Sequence, residues 1–267
     1  MHSKTRRNTP HTRRDPIQTR HTQRQQKRIR AKKIRRMIFY SLLIAVALCI
    51  VIFFTPLLSI RSITVSGNFK VESTELYQAL DIYSHQNLIL TRAGKVKKKV
   101  LEFAYIDSVG VKKKLFPPSL EVEVFEREAV CVIPHNQEYA HIDSTGRILE
   151  LSGKHNDLCE ILGLRLTSAN LGETITLDDN AGLKTILQAL SAFKKSGLMS
   201  GITKIDFSNL ENITFNYENR IDGVCGPYVD FSRKLSLFRE AITSNKLTEH
   251  SRGTINLSRT GRAVYTP

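Results

Sequence analysis

Tryptophan is absent from this 267-residue chain, and cysteine and methionine are scarce, at four and three. The four cysteines, Cys49, Cys131, Cys159 and Cys225, lie far apart with no C-x-x-C pair, which excludes a disulfide-stapled scaffold and a zinc ribbon. The last three read as small buried apolar residues, with a single pairing left open. Catalytic signatures are missing too: there is no G-x-S-x-G, P-loop, S-x-x-K or H-E-x-x-H. His135 and His141 flank an expected hairpin as solvated polar residues, without a Cys or acid at ligand spacing. Asp178 and Asp179 read as helix N-terminal charge rather than an acid–base pair. No cofactor, metal or catalytic residue is called for. The function is expected to reside in binding surfaces.

Acidic residues are nearly absent from one region. Residues 1–36 carry 14 of the 40 Lys and Arg and a single acid, Asp15. The remaining residues hold 26 basic and 24 acidic side chains, so the chain's net charge of +15 belongs almost wholly to its first segment. With Met1, Ile17, Ile29 and Ile34 as its large apolar residues, that segment cannot offset the entropy of ordering and is expected to be a disordered basic tail. Nucleic-acid binding has no recognition module to support it: zinc-finger spacing and aromatic platforms near the charges are both lacking.

Charge then vanishes altogether. Met37 to Leu58 form a charge-free run of 22 residues, MIFYSLLIAVALCIVIFFTPLL. As a helix it would reach about 33 Å, enough for a hydrocarbon core of about 30 Å. It is longer than a signal-peptide core and has no small-x-small cleavage site. A transmembrane helix is therefore expected at 37–58. Seven cations between Lys27 and Arg36 against Arg61 alone on the near far side place the N-terminus in the cytoplasm and the rest outside.

Beyond the run the pattern alternates between periods. Ile63 and Val65 share one face of a short strand that stops at Gly67-Asn68. Leu76, Ala79, Leu80 and Tyr83 mark a helix, and Ala93, Val96, Val100, Leu101 and Ala104 a second one whose remaining surface is Lys95 and Lys97–Lys99. Strands follow around 106–113 and 119–126; in the latter Leu120, Val122 and Val124 alternate with glutamates. The β-α-α-β-β order makes a unit with two helices on one sheet. Further on, Asp143 and Gly146 suit a hairpin turn. Leu183, Ile186, Leu187, Leu190 and Phe193 form a helix face with Asp179 or Asn180 as N-cap and Gly197 as stop. Phe231, Leu235, Phe238 and Ile242 form another.

Taken in order, several segments resemble the FtsQ/DivIB family of division proteins. They are Ile60-Arg-Ser-Ile-Thr-Val-Ser-Gly-Asn68, Asn87-Leu88-Ile89, Pro117 to Val130 with its Glu126-Arg127-x-x-Ala129, and Tyr139-Ala-His-Ile-Asp-Ser-Thr-Gly146. Val224-Cys-Gly226, Lys234-Leu235, Gly253-Thr-Ile-Asn-Leu257 and Ala263-Val-Tyr-Thr-Pro267 continue the resemblance. Departures are the missing Trp, with Phe116 before the proline, Pro118 beside it, Asn219-Arg220 in place of an Asn-Gly turn, and Asn256 in place of an Asp. The resemblance implies an α+β protein: tail 1–36, transmembrane helix 37–58, a POTRA domain at 60–128 and a β-rich FtsQ/DivIB-type domain at 129–267. It implies a septal scaffold with no enzymatic activity that binds small bitopic coiled-coil proteins of the FtsB/DivIC and FtsL types and links them to septal peptidoglycan synthases. The carried-over partner-binding positions are Lys234 and Phe238 on a helix and Leu257, Ser258, Arg259, Ala263, Val264 and Tyr265 on the closing segment. The mode expected is strand addition to a sheet edge. Another POTRA-bearing envelope scaffold, not dedicated to division, is the alternative.

Overall fold

The computed structural model describes residues 32–48, 50–51, 56–244, 247–248, 250–259 and 261–267. The expected disordered tail lies almost entirely outside them. Residues 32–48 (α1) and 50–51 are helical. Among the described residues no helix is long and apolar enough to cross a membrane; the expected span at 37–58 includes Cys49 and 52–55, outside those described. Its end needs a correction. Pro56–Leu58 form a 3-10 turn rather than the last turn of an α-helix, as suits a proline, which has no N–H to donate to a preceding carbonyl.

Residues 60–267 form one compact unit with two sheets of three or more strands and two apolar cores. The first sheet has the expected β-α-α-β-β order: β1 (Ser62–Ser66), α2 (Ser73–Leu80), α3 (Ala93–Val100), β2 (Ile106–Leu115) and β3 (Pro118–Glu126). β3 lies in the middle, parallel to β1 and antiparallel to β2. Leu120, Val122 and Val124, every second residue of β3, are buried with Leu76 and Leu80 of α2 and Val96 and Val100 of α3. The two-residue and helical periods thus meet in one core. Leu101, expected on the inner helix face, is exposed because α3 has ended at Val100.

The second sheet has nine strands: β4 (Cys131–His135), β5 (Glu138–Ile142), β6 (Ile148–Ser152), β7 (Cys159–Leu162), β10 (Ile202–Asp206), β11 (Ile213–Tyr217), β12 (Ile221–Gly226), β13 (Gly253–Asn256) and β14 (Val264–Thr266). The order is β14-β13-β12-β11-β10-β7-β4-β5-β6, and a separate small pair, β8 (Leu166–Ser168) with β9 (Thr176–Leu177), stands apart. Helices α4 (Leu183–Ser196) and α5 (Phe231–Thr243) supply Ile186, Leu190 and Phe193, and Phe231, Leu235 and Phe238, to its core. Burial alternates along the strands, with Ile205, Phe215 and Ile255 buried and Lys204, Asn216 and Asp222 on the outer face. Two sequence expectations are corrected here. His141 is buried: its Nε2 donates to the Lys154 carbonyl at 2.9 Å, because position 141 lies on a covered stretch of β5. Neither Asp179 nor Asn180 caps α4; their carboxyl and amide oxygens accept the N–H of Ala181 and Leu177 in the turn before it. Asp178 likewise accepts from the Thr167 hydroxyl. The three described cysteines are buried free thiols, with Cys131 and Cys159 opposite each other on β4 and β7.

The Glu-Arg pair that closes β3 joins the two sheets. Glu126 accepts the N–H groups of Lys70 and Val71, fixing the loop after β1. Arg127 donates to Asp107 at 2.6 Å on β2 and to Asp143 at 2.7 Å in the β5–β6 turn. Its own N–H bonds the Tyr105 carbonyl, and the Tyr105 hydroxyl donates to Glu150 at 2.7 Å on β6. Burial and the Glu150 carboxylate both push the Tyr105 hydroxyl well above its ordinary pKa. Asp143 is buried, which by itself would raise its pKa. Donors from Thr145, Arg147 and Arg127 outweigh that and hold it below the ordinary carboxylate value.

A carboxyl with a depressed folded-state pKa contributes stability above its unfolded pKa and loses it as pH falls through the folded value. Asp143→Asn is therefore expected to destabilise the chain by about 2 kcal/mol at neutral pH. That difference should shrink steadily below about pH 4. Urea midpoints of the two proteins in detergent, measured across that range, check it.

Candidate docking edge

The nine-stranded sheet ends in β14, three residues that among the described residues pair antiparallel with β13 alone. The edge is held by a row of residues in register across the sheet. Ile161, Ile205, Phe215, Gly223, Ile255 and Tyr265 stand opposite one another on β7, β10, β11, β12, β13 and β14. Gly223 makes the row possible: a Cβ there would lie 2.3 Å from two Phe215 ring carbons. Freed of a side chain at that point, the Phe215 ring lies over β12 and meets Phe193 and Phe238 edge-on, at centroid distances of 5.2 and 4.7 Å.

Two loops complete the frame. Glu218 and Asn219, both with positive φ, form the centre of the β11–β12 turn closed by Arg220 N–H to the Tyr217 carbonyl. The expected turn centre, Asn219-Arg220, is thus shifted by one. Arg220 uses its guanidinium on Glu218 and on the carbonyls of Thr248 and Ser251, just before β13. At the other end Asn256 Oδ1 accepts both the N–H and the hydroxyl of Ser258, turning the chain out of β13.

The eight expected partner-binding residues fall into two groups. Phe238 and Leu257 are fully buried, and Lys234 is buried with its Nζ donating to the Pro227 carbonyl at 3.0 Å. These three form the support behind the edge. Ser258 and Arg259 are exposed and Ala263 is half-buried. Val264 and Tyr265 are exposed on the terminal strand itself. The Tyr265 hydroxyl donates to the Arg252 carbonyl at 2.6 Å, bracing β14 against the chain leading into β13. Sequence reasoning missed Gly223, Arg220 and Asn256 as positioning residues. Only Asn256, two residues before a serine, carried a local signal. Behind the edge, burial pushes the Cys225 thiol up to about 12, against an opposing pull from Lys234. Among the described residues, no three His, Cys, Asp or Glu side chains gather where a metal ion could be held.

These features define a class, an α+β protein with a POTRA unit followed by a β-rich domain. Residues 58–127 match the family model "POTRA domain, FtsQ-type". Cell division protein DivIB of Clostridium acetobutylicum is 28% identical over 224 residues, covering 83% of this chain and 87% of that protein. DivIB of Clostridium botulinum (strain Loch Maree / Type A3) is 27% identical over 242 residues, covering 90% and 92%. Cell division protein FtsQ of Agrobacterium fabrum is 24% identical over 91 residues, covering 34% and 28%. The chain thus carries a POTRA domain of FtsQ type and is similar over most of its length to DivIB cell division proteins.

The two groups of edge residues are expected to respond differently to truncation. Phe238→Ala should cost about 3–5 kcal/mol, the range for an aromatic removed from a packed core. Val264→Ala should stay within about 0.5 kcal/mol. Thermal unfolding of the two variants in detergent separates residues that build the edge from residues that present it.

Proposed function

We propose that this chain is a bacterial cell division scaffold rather than an enzyme. Residues 37–58 anchor it once in the cell membrane, the basic tail stays in the cytoplasm, and residues 60–267 work outside as a POTRA domain (60–128) and an FtsQ/DivIB-type β domain (129–267). Relatives named as cell division proteins align with most of the chain and support that role. At the septum it binds small bitopic coiled-coil proteins of the FtsB/DivIC and FtsL types and connects them to septal peptidoglycan synthesis.

The observation that carries the docking reading is the free side of β14. A three-residue strand with one neighbour among the described residues leaves backbone donors and acceptors on its other side for a further strand. A partner segment adding there gains backbone hydrogen bonds for affinity and reads Val264, Tyr265, Ser258 and Arg259 for specificity. Lys234, Phe238 and Leu257 act behind it, by holding α5 and β13 in place.

Removing residues 264–267 deletes the edge strand while sparing the buried Ile255 and Leu257. An N-terminal fluorescent fusion of the full chain is expected to form a midcell band and to co-purify with the coiled-coil partner, and the truncated chain is expected to lose that partner. Retention of the partner after truncation would move the docking site elsewhere. A uniform peripheral signal from the full-length fusion throughout the cell cycle would sink the division role.

A further inference from the structure

The end of the first sheet where the chain enters it carries a feature that strand addition does not use. The β2–β3 hairpin tip exposes Leu115 and Phe116, the latter 87% accessible. Beside it the loop before α3 exposes Ile89 and Leu90, tied to β2 by Lys113 Nζ at 3.4 Å from the Ile89 carbonyl. Single exposed apolar residues are ordinary; four in one place are not. Basic side chains stand among them. Lys112 and Lys114 are paired with Glu123 and Glu121 on β3, whereas Arg61 and Lys113 have no acidic partner among the described residues.

The position of this tip follows from the backbone. Ile60 donates its N–H to the Gln86 carbonyl and Arg61 to the Pro118 carbonyl, so the first residues of the fold are bonded to both the loop and the hairpin. The charge-free run ends two residues earlier, at Leu58. Apolar side chains and unpaired cations gathered there match the chemistry of a bilayer surface, where aromatic and aliphatic groups enter the boundary layer and cations meet anionic headgroups. On the reading of 37–58 as a membrane anchor, only Ser59 separates the run from the hydrogen-bonded entry into this sheet.

We propose that the β2–β3 hairpin tip and the loop before α3 dock on the outer surface of an anionic lipid bilayer, seating the POTRA unit on the membrane that anchors the chain. The proposal rests on the reading of 37–58 as a membrane anchor. Such a seat holds the POTRA unit upright and sets the height of β14 above the bilayer, where a partner of small bitopic type has to meet it.

The missing tryptophan makes the test direct, since one introduced residue is the sole indole emitter. Phe69, 92% exposed, is the internal control. It precedes Lys70, which bonds Glu126 at the far end of β3, whereas Phe116 lies beyond the Pro118 end. The two sites are separated by about 26 Å along the strand. Full-length F116W and F69W are reconstituted in lipid vesicles of mixed phosphatidylcholine and phosphatidylglycerol, with and without bromine near the carboxyl end of the acyl chains. F116W emission is expected to shift to the blue and to be quenched by about twofold with brominated chains, with F69W unchanged. K113E should reduce the F116W quenching, and so should replacing the anionic lipid.

Flotation of the chain with vesicles in alkaline carbonate reports the anchor separately. Failure to float overturns the anchor and the seat together. A chain that floats but leaves F116W as unquenched as F69W overturns the seat alone. Equal quenching of both, or a blue shift of F116W without quenching, also overturns it, the last by placing protein rather than lipid on the tip.

Discussion

Phe215 lying over Gly223 is the contact on which the last strands of the nine-stranded sheet depend. With any side chain on Gly223 the Phe215 ring would have to leave the surface of β12, and the aromatic cluster with Phe193 and Phe238 would open. That cluster joins α4 and α5 to the sheet. Because the row runs in register from Ile161 to Tyr265, a displacement at Phe215 is transmitted to β13 and β14, whose backbone ladder has nowhere else to anchor. Close packing makes the transmission stiff: a dense interior accommodates a misplaced ring by shifting its neighbours.

The second constraint is electrostatic. Arg127 reaches Asp107 on β2 and Asp143 in the β5–β6 turn, and Tyr105 adds a hydrogen bond to Glu150 alongside it. A guanidinium suits this position because its planar donors can engage two carboxylates in different directions at once. The contact makes 60–267 one unit even though each sheet has its own core. Glu126, one residue earlier, does a local task by holding the backbone after β1. The pair is adjacent in sequence but divided in function, Glu126 serving its own sheet and Arg127 linking that sheet to the β5–β6 turn of the other.

Of the eight positions carried over as partner-binding, the periodicity around Phe238 already contained a warning. Phe231, Leu235, Phe238 and Ile242 mark one helix face, which is the pattern of a core contact. The structure accordingly buries Phe238 and leaves Ser258, Arg259, Val264 and Tyr265 exposed. Lys234 is the instructive case. A lysine on a helix is usually solvated, but here its Nζ finds the Pro227 carbonyl and the stem is covered.

The amino-acid sequence by itself determined the local elements: the charge-free run, the β-α-α-β-β order, the Asp143–Gly146 turn and the order of motifs that marks the family. Each of these depends on period, charge or turn chemistry within a few residues. The tertiary structure alone decided what lies between distant segments. His141 is polar yet buried because its neighbour is the Lys154 carbonyl, 13 positions away. Gly223 matters through a ring eight positions back, and Arg127 through a turn sixteen positions on. The strand order that makes β14 an edge depends on parallel crossovers of β12 to β13 and β4 to β7. Side-chain periodicity tells which face of a strand is buried, but which strand ends up last in the sheet is settled by long-range pairing, and no short window of sequence encodes that.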